Sequence, residues 1–494
     1  MNPLKKLAGQ TAIYGVSSIV GRIINFLLVP LYTNVLNTDD YGLLILMYSY
    51  VAVIYVFLIY GMETAYFRYS ELKTDKQNVF NTSLISIVVS STFFALFALN
   101  FSSDIASWIR QESYANYVQM FALIMALDAI SAIPFAKLRA EARPVRFAII
   151  KFVNIGVNLG LNLFFILLCP FILKNYSSGL ALNFINLVFD PELGLVTYVF
   201  ISNLVASSIT ILMLLPEIIK VQFKFDFALW KQLFRYGYPI LIIGFAFAMN
   251  EMFGRILMNY LLPEETALDQ IGIYSASFKL AILLSLFVQA FRYAAEPFFF
   301  AQEKEKDSKK VYAQVMKYFV VLMLFASLAI LLYIDIIKLL IGREFRGAIG
   351  VIPILLSGYI FIGIFYNLSF WYKLTNKTFY GAILALGGML ITIVLNFILI
   401  PEYGYLGSAW ATFACYFSMM FASYLWGRKV YKIDYNWKRI STYLALAALI
   451  YWISISFEIQ IIALKLLWHT LLLGIFVTMV FVLDHKELKS VLKK

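Results

Sequence analysis

The stretch "SSIVGRIINFLLVP", residues 17–30, lies inside an apolar run from Leu7 to about Val35 and carries one charged side chain, Arg22, between Ser18 and Asn25. At about 1.5 Å per residue, a helical run of this length crosses a hydrocarbon core about 30 Å thick. Such runs recur along the whole chain, about fourteen in number. The first covers roughly 8–34, and the last two, 440–457 and 460–483, are separated by little more than Glu458. The composition agrees, because 62% hydrophobic and 14% charged residues over 494 positions lies far from a water-soluble domain.

The runs are continuous rather than alternating, and about twice the length a tilted membrane strand requires. The sequence therefore predicts an all-α polytopic membrane protein. The amino-terminal run is too long for a signal-peptide core and lacks a small-residue cleavage pattern, so it reads as a retained first helix.

Basic residues set the orientation. Of the 40 Lys and Arg, about 30 fall in alternate, inner segments and about 6 in the outer loops, which places both termini in the cytoplasm. The net charge of +12 is then mostly an inner collar facing anionic membrane lipid, with no nucleic-acid partner implied. Cys169 and Cys415 fall at or within spans, so no disulfide framework is expected. Two histidines, His469 and His485, without clustered ligand spacing, suggest neither a metal site nor a cofactor. No outer loop is long enough for a folded domain, so the function is expected inside the membrane.

An internal repeat shows best in the loops. "KFDFALWK" at 224–231 aligns with "KIDYNWK" at 432–438, and "LNLFFIL" with "LNFILI", which sets Asn162 opposite Asn396. The expected organisation is an N-lobe over 1–222 and a C-lobe over 223–433, six helices each as parallel repeats, followed by a C-terminal helix pair with a tail over 434–494. Two such lobes would enclose a central cavity lined by the first helix of each.

Charge inside a span costs about 2.5 kcal/mol or more and normally faces protein or water. Ser18, Arg22 and Asn25 form a narrow stripe on helix 1; Asn250, Glu251, Gly254, Arg255 and Asn259 form another on helix 7. Two readings follow. In one, these charges are structural, Glu251 neutralising Arg255 one turn on and Arg22 bonding a carbonyl or Asp128 of helix 4. In the other, Arg22 and Arg255, with Asn25 and Asn250, make a positive interior for an anionic substrate. Arg292, near Gln289 and Glu296, is a further candidate that snorkelling explains almost as well. Asn154, Asn158 and Asn162, beside Gly156 and Gly160, read as close helix packing with interhelical hydrogen bonds. Thr38, Asp39 and Asp40 of "NTDDYG" read as a helix cap.

The opening "GVSSIVGRIINFLLVPLYTNVLNTDDYGLLILM" and "LNFILIPEYGYLGSAWAT" at 395–412, with Pro401, Tyr403, Gly404 and Gly407, resemble the bacterial polysaccharide transporters. These are the lipid-linked oligosaccharide (O-antigen) flippases of the multidrug/oligosaccharidyl-lipid/polysaccharide superfamily. The resemblance implies a non-enzymatic flippase of the bacterial cytoplasmic membrane that moves undecaprenyl-pyrophosphate-linked repeat units outward for cell-surface polysaccharide. It implies that Arg22, and more loosely Arg255, hold the pyrophosphate, and that helices 13 and 14 accommodate the lipid tail. Polysaccharide polymerase machinery is an expected partner; moving a charge-compensated anion would draw on a coupling cation or on the membrane potential, with Asp128, Glu251 and Glu296 as candidate coupling carboxylates. No "GxxxxGK" loop is present, so ATP is not the direct driver. The rival readings are a multidrug or cation antiporter of the same superfamily, for which an acidic cavity and twelve spans would be expected, and a polyprenyl-dependent glycosyltransferase or polymerase, which the short loops disfavour.

Overall fold

In hydrocarbon every backbone N–H and C=O must find an internal partner, and a helix satisfies them all within one segment. The computed structural model describes residues 26–492 apart from 74, 177, 304, 306 and 376, and all regular structure among them is helical. Arg22 and Asn25 lie outside the described residues, as does the Glu296 side chain.

In chain order the helices are α1 (Phe26–Val35), α2 (Thr38–Ile59), α3 (Met62–Leu72), α4 (Lys76–Asn100), α5 (Ser102–Trp108), α6 (Ala115–Ala140), α7 (Pro144–Leu163), α8 (Cys169–Asn175), α9 (Leu180–Val188) and α10 (Leu195–Ile218). They continue as α11 (Phe227–Leu261), α12 (Glu264–Gln302), α13 (Ser308–Leu332), α14 (Ile334–Ile337), α15 (Ile352–Leu368), α16 (Phe370–Leu374), α17 (Phe379–Tyr403), α18 (Tyr405–Val430), α19 (Trp437–Ser456) and α20 (Ile462–Leu492). Among the described residues, 12 helical segments are long and apolar enough to span a membrane. The two other expected spans are 8–34, whose described part is α1, and 405–427, which forms the less hydropathic α18.

The compact units divide at 272/273: residues 1–272 form one and 273–494 the other. The repeat expected from the sequence is a different division, at 222/223, ahead of α11. In the first unit α11 packs along α2, so packing draws helix 7 to the unit that precedes it in the chain.

Local chemistry accounts for the element ends. Asn37 is the N-cap of α2, its side chain accepting from the Asp40 N–H at 2.7 Å, with Asp39 and Asp40 in the first turn. The "NTDDYG" motif is thus a cap, with Asn37 rather than Thr38 as its acceptor. Between α2 and α3 the chain turns through Tyr60 and Gly61, both left-handed at φ 34° and 72°. A Cβ at Gly61 would lie 2.3 Å from the Gly237 carbonyl oxygen, so the backbones touch where α11 passes.

The expected close packing at Gly156 and Gly160 is not found among the described residues. Nothing among the described residues lies within 4 Å of a Cβ built at either position. The asparagines beside them do bond between helices: Asn154 donates to Thr210 of α10 at 3.0 Å, and Asn162 accepts from Tyr32 of α1 at 2.9 Å.

In the second unit, α19 and α20 are joined to α13 by buried charge. Lys317 contacts Asp484 at 2.8 Å, and Arg439 approaches the same carboxylate at 3.8 Å.

Candidate functional site

Polar residues at span depth in the first unit converge on a cavity of about 480 Å³. Three helices supply most of it through helical spacing. On α10, Asn203, Ser207 and Thr210 recur at i, i+4 and i+7 and so share a face. On α7, Lys151 and Asn154 are one turn apart, and on α6 Asp128, Ser131 and Arg139 line the same space. Tyr55 of α2 and Glu63 of α3 complete it.

Hydrogen bonds hold this lining in register. The Asp128 carboxylate accepts from the Ser207 hydroxyl at 2.8 Å, and its backbone carbonyl lies 3.4 Å from the Tyr55 hydroxyl. Asn203 donates to the Tyr48 hydroxyl at 2.9 Å. Arg139 pairs with Glu63, and the Lys151 ammonium sits 4.2 Å from the centre of the Phe135 ring. Two carboxylates and two cations therefore face one small volume. Their formal charges cancel, so a proton gained or lost at Asp128 would change the charge of the whole cavity by one unit. Polar, roomy and multiply bonded, such a space can hold water or a small cation.

The other predicted residues are spread across both units. Arg255 is 4% exposed, buried on α11. It donates to the main-chain carbonyl of Glu251 at 2.9 Å and approaches the Met252 sulfur at 3.5 Å, while the Glu251 side chain is exposed. The helix-7 charges thus meet through a backbone oxygen, and the guanidinium also acts electrostatically on Tyr41 of α2. Asn250 is buried on the same helix. Asn259, from the same stripe, donates to the Ile109 carbonyl at 2.8 Å and lies 3.4 Å from the Gln111 amide, tying α11 to the turn after α5.

In the second unit Arg292 is exposed, its guanidinium 4.2 Å from the centre of the Tyr366 ring. Of the predicted site residues that the structure describes, Asp128 alone lines the polar cavity. Lys151, Arg139, Glu63 and the α10 stripe were not anticipated, although the i, i+4, i+7 spacing of Asn203, Ser207 and Thr210 is visible in the sequence and could have revealed them. Among the described residues no group of His, Cys, Asp and Glu is placed to hold a metal ion.

The second unit carries an apolar cavity of about 400 Å³ between α13, α15, α18 and α19, lined by residues such as Leu328, Phe361, Phe413 and Tyr451.

No protein-family model matches the chain, and no curated protein matches its sequence. Solved structures do share its fold. The lipid II flippase MurJ in an inward closed conformation superposes with a TM-score of 0.74 at 13% identity, over 95% of this chain and 99% of MurJ. An inward-facing multidrug resistance transporter of the MATE family, within the MOP superfamily, gives 0.62 at 13% identity over 85% of this chain and 95% of its own. The Vibrio cholerae MATE transporter VcmN gives 0.55 at 12% identity over 86% and 96%.

Proposed function

We propose that this protein is a flippase that carries a polyprenyl-pyrophosphate-linked oligosaccharide across the bacterial cytoplasmic membrane by alternating access, for assembly of a cell-surface polysaccharide. The observation that carries the proposal is the apolar cavity to which α19, the first helix of the C-terminal pair, contributes Leu444, Ala447, Ala448 and Tyr451. A transporter of small soluble cations has no use for it, whereas a substrate with a long isoprenoid tail does.

The head group requires the opposite chemistry. Arg22 and Arg255, with Asn25, Asn250 and Arg292, are assigned to the pyrophosphate, which a guanidinium fork binds through paired charge-assisted hydrogen bonds. Asp128 is assigned to coupling: its carboxylate faces a cavity of balanced charge, where one proton or one small cation alters the electrostatics of the whole unit. Glu251 and Glu296 are kept as subordinate coupling carboxylates. A membrane potential contributes about 2.3 kcal/mol per charge per 100 mV to such a step.

The test is binding of undecaprenyl-pyrophosphate oligosaccharide to the reconstituted protein and its Arg22→Ala and Arg255→Ala variants, each first shown to fold by its thermal transition. Loss of about tenfold or more in affinity for the pyrophosphate lipid, with none for a neutral glycolipid, is expected. Unchanged binding in both variants, with transport of organic cations by the wild type, would replace this reading with the multidrug antiporter.

A further inference from the structure

A second concavity in the first unit, about 610 Å³, lies on its outer surface between α4 and the start of α11. One rail is Ile85, Val89 and Phe93, spaced at i, i+4 and i+8 on α4; Val89 and Phe93 are 62% and 73% exposed. The other rail is aromatic. Phe227, Trp230 and Phe234 stack in succession along α11, with ring centres 5.5 and 5.4 Å apart and planes within 17° and 21°.

The groove is held open by bonds beneath it. The Trp230 indole N–H donates to the Ser86 hydroxyl at 2.8 Å, and the Tyr60 hydroxyl shares that oxygen at 2.6 Å. Beside Tyr60 the backbones of Gly61 and Gly237 touch, which fixes α11 against the turn between α2 and α3. From Ile85 to Phe93 the rise is about 12 Å, close to the depth of one leaflet's hydrocarbon.

Exposed cations flank the aromatic rail along its length. Lys224 precedes α11, and Lys231 and Arg235 follow on its first turns. Lys231 lies with its ammonium 5.0 Å from the centre of the Phe227 ring, so it reaches back toward the helix start, where head groups lie. The α11 amino terminus itself is occupied: Asp226 accepts from the Leu229 N–H at 2.9 Å and from Asn78 at 3.2 Å. Attraction for an anion here comes from the three side chains and not from the helix end.

We propose that this groove binds one anionic phospholipid, an acyl chain lying between the two rails and the phosphodiester held by Lys224, Lys231 and Arg235. A zwitterionic lipid fits the rails equally well but gains less from three cations. The site is distinct from the polar cavity and does not depend on the flippase reading.

Native mass spectrometry of the full-length protein, titrated with phosphatidylglycerol or phosphatidylcholine of identical chains, tests it. Wild type is expected to retain phosphatidylglycerol about tenfold more strongly. The triple variant Lys224→Gln, Lys231→Gln, Arg235→Gln should lose that preference while keeping weak binding of both lipids. Val89→Trp, at an exposed position that folding tolerates, should lower retention of both by filling the groove. Equal retention of the two lipids by wild type would overturn the proposal. So would a phosphatidylglycerol preference unmoved by either variant, or a Val89→Trp variant that loses undecaprenyl phosphate while keeping phosphatidylglycerol.

Discussion

Asp484 is 2% exposed and meets two cations, Lys317 and Arg439, brought to it by α13 and α19. Removing one partner of a buried pair leaves a charge that neither water nor protein solvates well, at a cost of about 3–5 kcal/mol. Lys317→Met should therefore lower the thermal transition in detergent substantially. The double variant Lys317→Met, Asp484→Leu should recover most of the loss, and a double-mutant cycle on the two transitions measures the coupling. A second residue-scale expectation concerns acid. Lys338 at 2.5 Å and Lys465 at 2.6 Å hydrogen-bond Asp335 and hold its carboxyl below the usual aspartate value. A depressed folded-state pKa contributes stability that is present above the unfolded value of about 3.9 and is lost as pH falls through the folded one. Unfolding followed from pH 6 down to pH 2 should show this loss below about pH 4, and Asp335→Asn should flatten it.

At the scale of elements, two glycines decide how α2 and α12 cross. A Cβ at Gly42 would lie 2.0 Å from the Leu268 carbonyl oxygen, and one at Gly272 would lie 2.1 Å from that of Thr38. Both obstacles are backbone, so neither can rotate away. Gly42→Ala and Gly272→Ala should each force the helices apart and reduce folded yield and thermal stability. Gly156→Ala, with open space around it among the described residues, should be neutral or stabilising by up to about 1 kcal/mol through helix propensity. Equal effects at the three positions would refute this account of the crossing. After α7 the helix passes through a π-helical turn, Phe164–Leu168, before α8. The connection beyond it is itself helical, with Leu180 and Leu187 of α9 90% and 82% exposed.

For the whole molecule, the proposed transport cycle needs energy, and Asp128 is where a proton or cation would enter. Asp128→Asn keeps the shape of the carboxyl and its contact with Ser207 but cannot ionise. In proteoliposomes this variant should bind the lipid-linked substrate as wild type does, while the stimulation of flipping by an imposed pH gradient or potential falls about tenfold or more. Wild-type gradient dependence would move the coupling role to Glu251 or Glu296. Legibility divides unevenly at this scale. The membrane class, the helical fold and the separation of α19 from α20 could be read along the chain, and so could the cap at Asn37 to within one residue. The polar cavity could be read only in part, because Asp128 signals itself by being charged within a span and the α10 stripe by its helical spacing, while Lys151, Arg139 and Glu63 acquire meaning only when five helices converge.

What the sequence determined by itself follows from a local quantity, the hydropathy of about 20 consecutive residues, which alone decides whether a segment can enter hydrocarbon as a helix. Partnership is not local. That Lys317 meets Asp484 from the far end of the chain, and that the Ser207 hydroxyl of one helix bonds the Asp128 carboxylate of another, were decided by tertiary packing. The reason is that each side chain had several candidates of suitable chemistry, and only the crossing of particular helices brings one of them within hydrogen-bonding distance.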